Sequence, residues 1–121
     1  MRFRLLRVVF LGALVVVACD SAPSAPSPAA TFTITAAGVS PREVRIRRWG
    51  YVTFVNSDTR PHSIVSDPIN EHSQCPSINQ VAFLQPGQRR DSDVIDLTGT
   101  CRFHDHLNQA DATLTGRIVV E

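Results

Sequence analysis

The chain lacks lysine and has few sulfur-containing or aromatic side chains. All twelve basic residues are arginine, and the single methionine is Met1, beside one tryptophan and one tyrosine. Eleven carboxylates nearly balance the arginines, so the formal net charge is +1. Because nucleic-acid-binding domains are usually strongly basic, this charge gives no sign of a nucleic-acid partner.

The chain also lacks an apolar run long enough to span a bilayer. The longest run covers residues 8–18, well short of the ~20 residues that a membrane-spanning helix needs. Arg2, Arg4 and Arg7 precede this run, as in the positive region of a secretory signal peptide. We therefore interpret residues 1–18 as an export signal.

Cys19 directly follows Val16-Val17-Ala18, a sequence that resembles the lipobox of bacterial lipoproteins. The resemblance implies lipidation of Cys19 and attachment to a membrane, on the periplasmic or extracellular face of the cell envelope. Residues 19–30 are rich in proline, serine and alanine, a composition typical of a solvated tether. The alternative is an ordinary signal peptide with a chance cysteine. Without the signal, nine arginines face eleven carboxylates, a net charge of −2.

From residue 31 onward, apolar residues recur with a period near two rather than 3.6, which indicates strands. Turn residues such as glycine, proline, asparagine and aspartate separate the runs, and the pattern favours no helix of three turns. We predict one all-β domain over residues 31–121, an antiparallel Greek-key β-sandwich of seven to eight strands. The candidate strands cover residues 31–35, 44–47, 51–55, 62–65, 81–84, 94–97, 100–104 and 114–120.

Two cysteines remain once Cys19 is set aside. Export places Cys75 and Cys101 in an oxidising compartment, where an even pair usually forms a disulfide. Closing this loop would stabilise the domain by roughly 3 kcal/mol in the chain-entropy model. The alternative is that one of them is a thiolate ligand to a metal.

Several stretches together carry a family resemblance that covers nearly all of the predicted domain. They are residues 44–56 (VRIRRWGYVTFVN), 56–62 (NSDTRPH), 84–87 (LQPG), 99–100 (GT) and 116–120 (GRIVV). In this order and spacing the chain resembles the cupredoxins. The resemblance implies a β-sandwich and, in blue-copper members, one copper ion that passes single electrons.

The blue-copper ligands are a histidine, a cysteine, a second histidine and usually a methionine. The resemblance places these four positions on His62, Asp105, Asn108 and Leu114, so one ligand of the four is retained. A blue-copper centre depends on its cysteine thiolate. We therefore do not predict a type 1 centre.

Other potential ligands lie in the same region. His104 and His106 would share one side of an extended segment, roughly 7 Å apart. Imidazole and carboxylate ligands without thiolate suit Cu(II), and also zinc or nickel, with copper favoured by the affinity order. We predict a copper site with His62, His104 and His106 as its core. Asp105 would be a fourth ligand or a hydrogen-bond acceptor for an imidazole, and His72 an optional ligand from a lid.

These observations favour a monomeric, non-catalytic envelope protein that binds copper for handling or for electron exchange with a protein partner. The alternative is a metal-free β-sandwich that serves as an interaction module. A small copper enzyme is least favoured, because no nucleophile–base pair accompanies the histidines. We expect Trp49 and Tyr51 to pack in the core or at a sheet edge.

Overall fold

The computed structural model describes residues 28–121, which form a sandwich of two β-sheets. The signal, Cys19 and most of the predicted tether lie outside the described residues. Nine strands are present between residues 28 and 121: β1 (Ala30–Thr35), β2 (Gly38–Ser40), β3 (Glu43–Ile46), β4 (Val52–Asn56), β5 (His62–Ser66), β6 (Ala82–Leu84), β7 (Arg89–Asp91), β8 (Gly99–Asp105) and β9 (Thr115–Val120).

One sheet has the strand order β2-β1-β4-β7, and the other has the order β3-β9-β8-β5-β6. Short 3₁₀ turns at Pro76–Gln80 and Ala112–Leu114 are the helical elements of the described region. Within residues 28–121, no helix is long and apolar enough to cross a membrane.

Three phenylalanines join the two sheets. Phe32 on β1, Phe54 on β4 and Phe103 on β8 are buried, and each ring centre lies 4.9 Å from the other two. Phe103 meets the other two rings edge-on, a favourable arrangement for aromatic pairs. The alternation seen in the sequence therefore places one face of each sheet in a common core.

The predicted all-β sandwich is confirmed, with differences in its strands. The sheets are mixed rather than antiparallel, because β1 pairs with β4, and β3 with β9, in parallel. Residues 94–97 do not form a strand. Ile95 is buried there and exchanges backbone hydrogen bonds with Trp49 and Gly50, outside the sheet ladders.

The disulfide between Cys75 and Cys101 is formed, as predicted. It ties the segment of residues 67–80, which follows β5, to β8. Further hydrogen bonds fix this segment: Gln74 N–H donates to the Asp67 carbonyl at 2.9 Å, and the Gln74 side chain accepts from Arg102 N–H at 2.8 Å. A histidine-bearing segment is thereby held against the strand that carries His104.

Candidate metal centre

The alternation of side chains along β8 determines the geometry of the centre. Phe103 points into the core between the sheets, so Asp105 points inward as well, while Arg102 and His104 point to the outer face. Beyond the end of β8, His106 continues the ladder by donating its N–H to the Ser63 carbonyl at 2.7 Å. His104 and His106 thus share the outer face, as their spacing predicts.

Three imidazoles meet at this outer face, and we call His72, His104 and His106 the histidine triad. One ring nitrogen from each lies within 4.8 Å of the other two. The ring of His72 lies 5.4 Å from that of His104 and 4.9 Å from that of His106, centre to centre. His104 is buried, His72 is partly buried and His106 is exposed, so the triad is open to solvent on one side.

Neighbouring side chains fix the triad from outside. The Nδ1 atom of His104 lies 2.6 Å from an Asp67 carboxylate oxygen, and the Nδ1 atom of His106 lies 3.2 Å from the Gln109 amide nitrogen. Asn79 donates to the backbone carbonyl of His72 at 2.8 Å. His72 adopts a left-handed backbone conformation with φ 52°, which histidine tolerates better than most residues. The Asp67 contact orients the His104 ring so that its Nε2 atom is available.

Two nitrogens of the triad are buried without a partner. They are the Nε2 atoms of His72 and His104. Among residues 28–121, these two are the buried side-chain nitrogen or oxygen atoms that have no hydrogen-bond partner. Leaving a buried polar atom unpaired costs roughly 1–3 kcal/mol, so such atoms usually have a partner of another kind. Nitrogens bound to one tetrahedral ion lie ~3.3 Å apart, given metal–nitrogen distances of ~2.0–2.1 Å. Small inward movements of the rings would therefore let the triad hold a metal ion.

His62 lies on the inner face, in a separate polar cluster. Its Nδ1 atom is 2.8 Å from Asp105 Oδ2, and its Nε2 atom is 3.0 Å from Asp58 Oδ2. Arg60 also donates to Asp58, at 3.1 Å. This Asp58–His62–Asp105 cluster leaves neither ring nitrogen of His62 free.

Hydrogen bonds lower the pKa values of both carboxylates in the cluster. Burial alone would raise the pKa of Asp105, but donation from Ser63 N–H, the Asn108 amide, His62 and Leu107 N–H outweighs burial. Burial likewise opposes ionisation of Asp58. Hydrogen bonds from His62, Thr59 N–H and Arg60, together with the charge of Arg60, lower its pKa below the ordinary value. Both carboxylates are therefore ionised at neutral pH.

Comparison with known proteins establishes the architecture. No protein-family model and no curated protein sequence matches the chain, but many solved structures do. A purple cupredoxin from Nitrosopumilus maritimus is 22% identical, with a TM-score of 0.61 over 76% of this chain and 99% of that one. Amicyanin from Paracoccus versutus is 16% identical, with a TM-score of 0.62 over 81% and 86%. A mutant fern plastocyanin is 18% identical, with a TM-score of 0.57 over 75% and 99%. The chain has the cupredoxin fold.

The inner cluster occupies the positions at which the resemblance places the blue-copper ligands. The sequence resemblance assigns His62 to the first histidine position, Asp105 to that of the cysteine and Asn108 to that of the second histidine. All three are joined by hydrogen bonds, since Asn108 donates to Asp105 at 2.7 Å. Leu114, in the methionine position, is buried. Three of the four residues that the resemblance assigns to ligand positions are therefore joined by hydrogen bonds, and the fourth is apolar.

The predicted ligands therefore divide into two groups. His72, His104 and His106 come together on the outer face, whereas His62 and Asp105 contact each other on the inner face. Asp105 contacts the imidazole of His62, which lies outside the triad. The sequence reasoning missed Asp58, Asp67 and Gln109, which hold the three rings they contact. Asp67 is 37 residues from His104 in the chain, so it gave no local signal, whereas Asp58 and Gln109 are only four and three residues from the histidines that they contact.

Proposed function

We propose that this protein binds a copper ion through His72, His104 and His106. The observation that carries the proposal is the pair of buried, unpartnered Nε2 atoms of His72 and His104, beside a third imidazole. When bound, the ion supplies Lewis acidity and access to two oxidation states. The chain supplies the orientation of the rings, through the Asp67 contact with His104 and the Gln109 contact with His106.

Both the ligand set and the structures of the same fold favour copper among the divalent metals. Three imidazoles without thiolate suit Cu(II), Zn(II) and Ni(II), and Cu(II) binds most tightly of these. An amicyanin variant with the same fold, 17% identical to this chain at a TM-score of 0.57, is described in the Cu(I) state. Zinc is the alternative, because a three-histidine set also suits that ion.

Copper handling or one-electron exchange fits the site better than catalysis. Of the three structures reported above, one is described as a purple cupredoxin and another, the mutant fern plastocyanin, is described in oxidised and reduced states. The protein would accept the ion or an electron on the exposed side of the triad, at His106. A physiological protein partner is part of this proposal.

We also propose that the protein is attached to a membrane of the cell envelope through lipidated Cys19. The support is the lipobox-like sequence that ends at Cys19 and the proline-rich segment that follows it. Labelling cells with an alkyne fatty acid should mark the protein, and Cys19→Ala should abolish the label. An unlabelled wild-type protein that is released into the periplasm would contradict this assignment.

Titration of the purified, disulfide-bonded protein with Cu(II) tests the copper proposal. Electron paramagnetic resonance should show one stoichiometric, nitrogen-coordinated signal without the intense absorption of a thiolate complex. His72→Ala and His104→Ala/His106→Ala should each weaken binding by at least tenfold, because each removes imidazole ligands.

Asp58→Asn is the matched control, since Asp58 contacts His62 but none of the triad. Its affinity for Cu(II) should equal that of the wild-type protein. Loss of binding in the control with retention in His72→Ala would move the site to the inner cluster. Absence of specific binding in the wild-type protein would favour the metal-free interaction module.

A further inference from the structure

Trp49, the single tryptophan of the chain, is held exposed on the surface. Its side chain is 60% exposed, and its φ of 72° places a bulky residue in the left-handed region, which costs free energy. The backbone is fixed there, because Trp49 N–H donates to the Ile95 carbonyl at 2.9 Å and Gly50 N–H donates to the Arg47 carbonyl at 3.1 Å. Of the two placements expected for Trp49, the core is wrong, because the residue is exposed in the turn that follows the edge strand β3. An indole presented at this cost points to a function on the surface.

An exposed apolar side chain, two arginines and an aspartate surround Trp49. Val94 is 49% exposed and precedes Ile95, which bonds to Trp49. The Arg48 guanidinium lies 4.8 Å from the centre of the indole ring and pairs with Asp96 at 2.6 Å. Arg47 is exposed and makes no ion pair among residues 28–121. We call Arg47, Arg48, Trp49 and Val94 the tryptophan patch.

The N-terminal segment enters the domain beside this patch. Ala29 N–H donates to the Tyr51 carbonyl at 2.8 Å, and Gly50 packs against the Ala29 side chain. Nine residues lie between Cys19 and Ala29, and the ten steps from one Cα atom to the next span at most about 35 Å. A lipid on Cys19 would therefore keep the tryptophan patch close to the bilayer.

The histidine triad lies at the other end of the sandwich. Arg48 N–H donates to the carbonyl of Glu121, which follows β9, and Gly99 at the start of β8 pairs with Val120. His104 is five residues further along β8, about 17 Å away at ~3.4 Å per residue. The tether and the tryptophan patch thus share one end, and the candidate metal centre occupies the opposite end.

We infer that the tryptophan patch rests on the lipid bilayer and turns the histidine triad away from it. Tryptophan is enriched at membrane–water interfaces, where its ring is in apolar surroundings and its N–H is hydrated. The unpaired charge of Arg47 suits an anionic lipid surface. The inference rests on the proposed lipidation of Cys19 and goes beyond the proposed copper site. In this arrangement the metal site is exposed and faces away from the membrane.

Fluorescence of the single tryptophan tests the inference without a label. The lipidated, mature protein is reconstituted into vesicles of phosphatidylethanolamine and phosphatidylglycerol, with or without bromine on the lipid chains. We expect brominated lipid to quench Trp49 by at least twofold, the emission to shift to the blue and access of acrylamide to fall. Arg47→Glu should reduce the quenching in anionic vesicles.

Arg89→Glu is the matched control, because Arg89 is an exposed arginine on β7 opposite Val55, towards the far end of β4. It should leave the quenching unchanged. The inference would be overturned if Trp49 emitted like a water-exposed tryptophan and brominated lipid did not quench its fluorescence. It would also be overturned if Arg47→Glu and Arg89→Glu changed the quenching equally. Cu(II) binding is measured separately on the same vesicles. A failure of the copper proposal can therefore be distinguished from a failure of the membrane inference.

Discussion

The Asp67 carboxylate determines how the His104 ring is presented. Its Oδ1 atom lies 2.6 Å from Nδ1 of His104, and His104 is buried. A carboxylate in this position makes Nδ1 the donor and leaves Nε2 as the ligand atom. Carboxylate–histidine contacts of this kind also raise the basicity of a metal-binding imidazole.

Asp67→Asn should weaken Cu(II) binding by about 10- to 100-fold, the usual effect of removing such a partner. The reason is that asparagine is close in shape to aspartate but lacks its charge. Competition with a chelator of known affinity measures the change. Asp93→Asn, an exposed aspartate outside the triad and its contacts, is the control. Equal affinities for the two variants would show that Asp67 does not support the site.

Single residues also show how far the sequence could predict the centre. The His-x-His spacing correctly predicted that His104 and His106 share a face. The same alternation places Asp105 with Phe103, and His62 with Ile64, on the side of the core. That signal was present in the sequence. The position of His72 was not predictable in the same way, because a loop and a disulfide bring it to β8.

At the scale of elements, the segment of residues 67–80 brings the third imidazole to β8. The disulfide at Cys75 anchors it three residues after His72, and Asn79 holds the His72 carbonyl. The segment lacks a regular helix or strand apart from the 3₁₀ turn at Pro76–Gln80. Its geometry therefore depends on a few cross-links rather than on a ladder of hydrogen bonds.

Replacing both cysteines, Cys75→Ser/Cys101→Ser, should lower the free energy of unfolding by roughly 3 kcal/mol in the chain-entropy model. Chemical denaturation of the metal-free protein measures this change. The replacement should also weaken Cu(II) binding, because His72 is no longer fixed. In a His72→Ala background the stability should still fall, but the affinity should not change further. An equal loss of affinity in both backgrounds would contradict the proposed role of the disulfide.

Strand prediction identified seven of the nine strands, but it missed β2 and β7 and wrongly assigned a strand to residues 94–97. β7 consists of Arg89, Arg90 and Asp91, all exposed, and it pairs with β4 at the edge of its sheet. Such a strand has no apolar alternation to detect. β2, with three residues, is similarly short. The parallel pairing of β1 with β4 and of β3 with β9 depends on contacts between distant segments, which periodicity does not encode.

At the scale of the whole molecule, the inner cluster links stability to pH. Asp58 and Asp105 have lowered pKa values in the folded protein. The unfolded state therefore binds more protons than the folded state in acid, and stability rises with pH there. Their contribution is present above the unfolded pKa of about 3.9 and is lost as the pH falls through the folded values.

Asp58→Asn should flatten this dependence. Urea unfolding of the metal-free protein between pH 3 and 6 should show a smaller decrease in stability on acidification, because one carboxylate with a lowered pKa is absent. At neutral pH the variant should be less stable than the wild-type protein, since the ionised partner of His62 and Arg60 is lost. A wild-type slope in the variant would show that Asp58 does not contribute to acid sensitivity.

The central claim is that the histidine triad, and not His62, binds the metal. The chain has four histidines, so a nitrogen-15 spectrum of the imidazole side chains can follow each one during titration with diamagnetic Zn(II). We expect one ring nitrogen each of His72, His104 and His106 to shift to the range of metal-bound nitrogen. The His62 nitrogens should keep their hydrogen-bonded shifts. Coordination shifts at His62, or the absence of such shifts at the triad, would contradict metal binding by the triad.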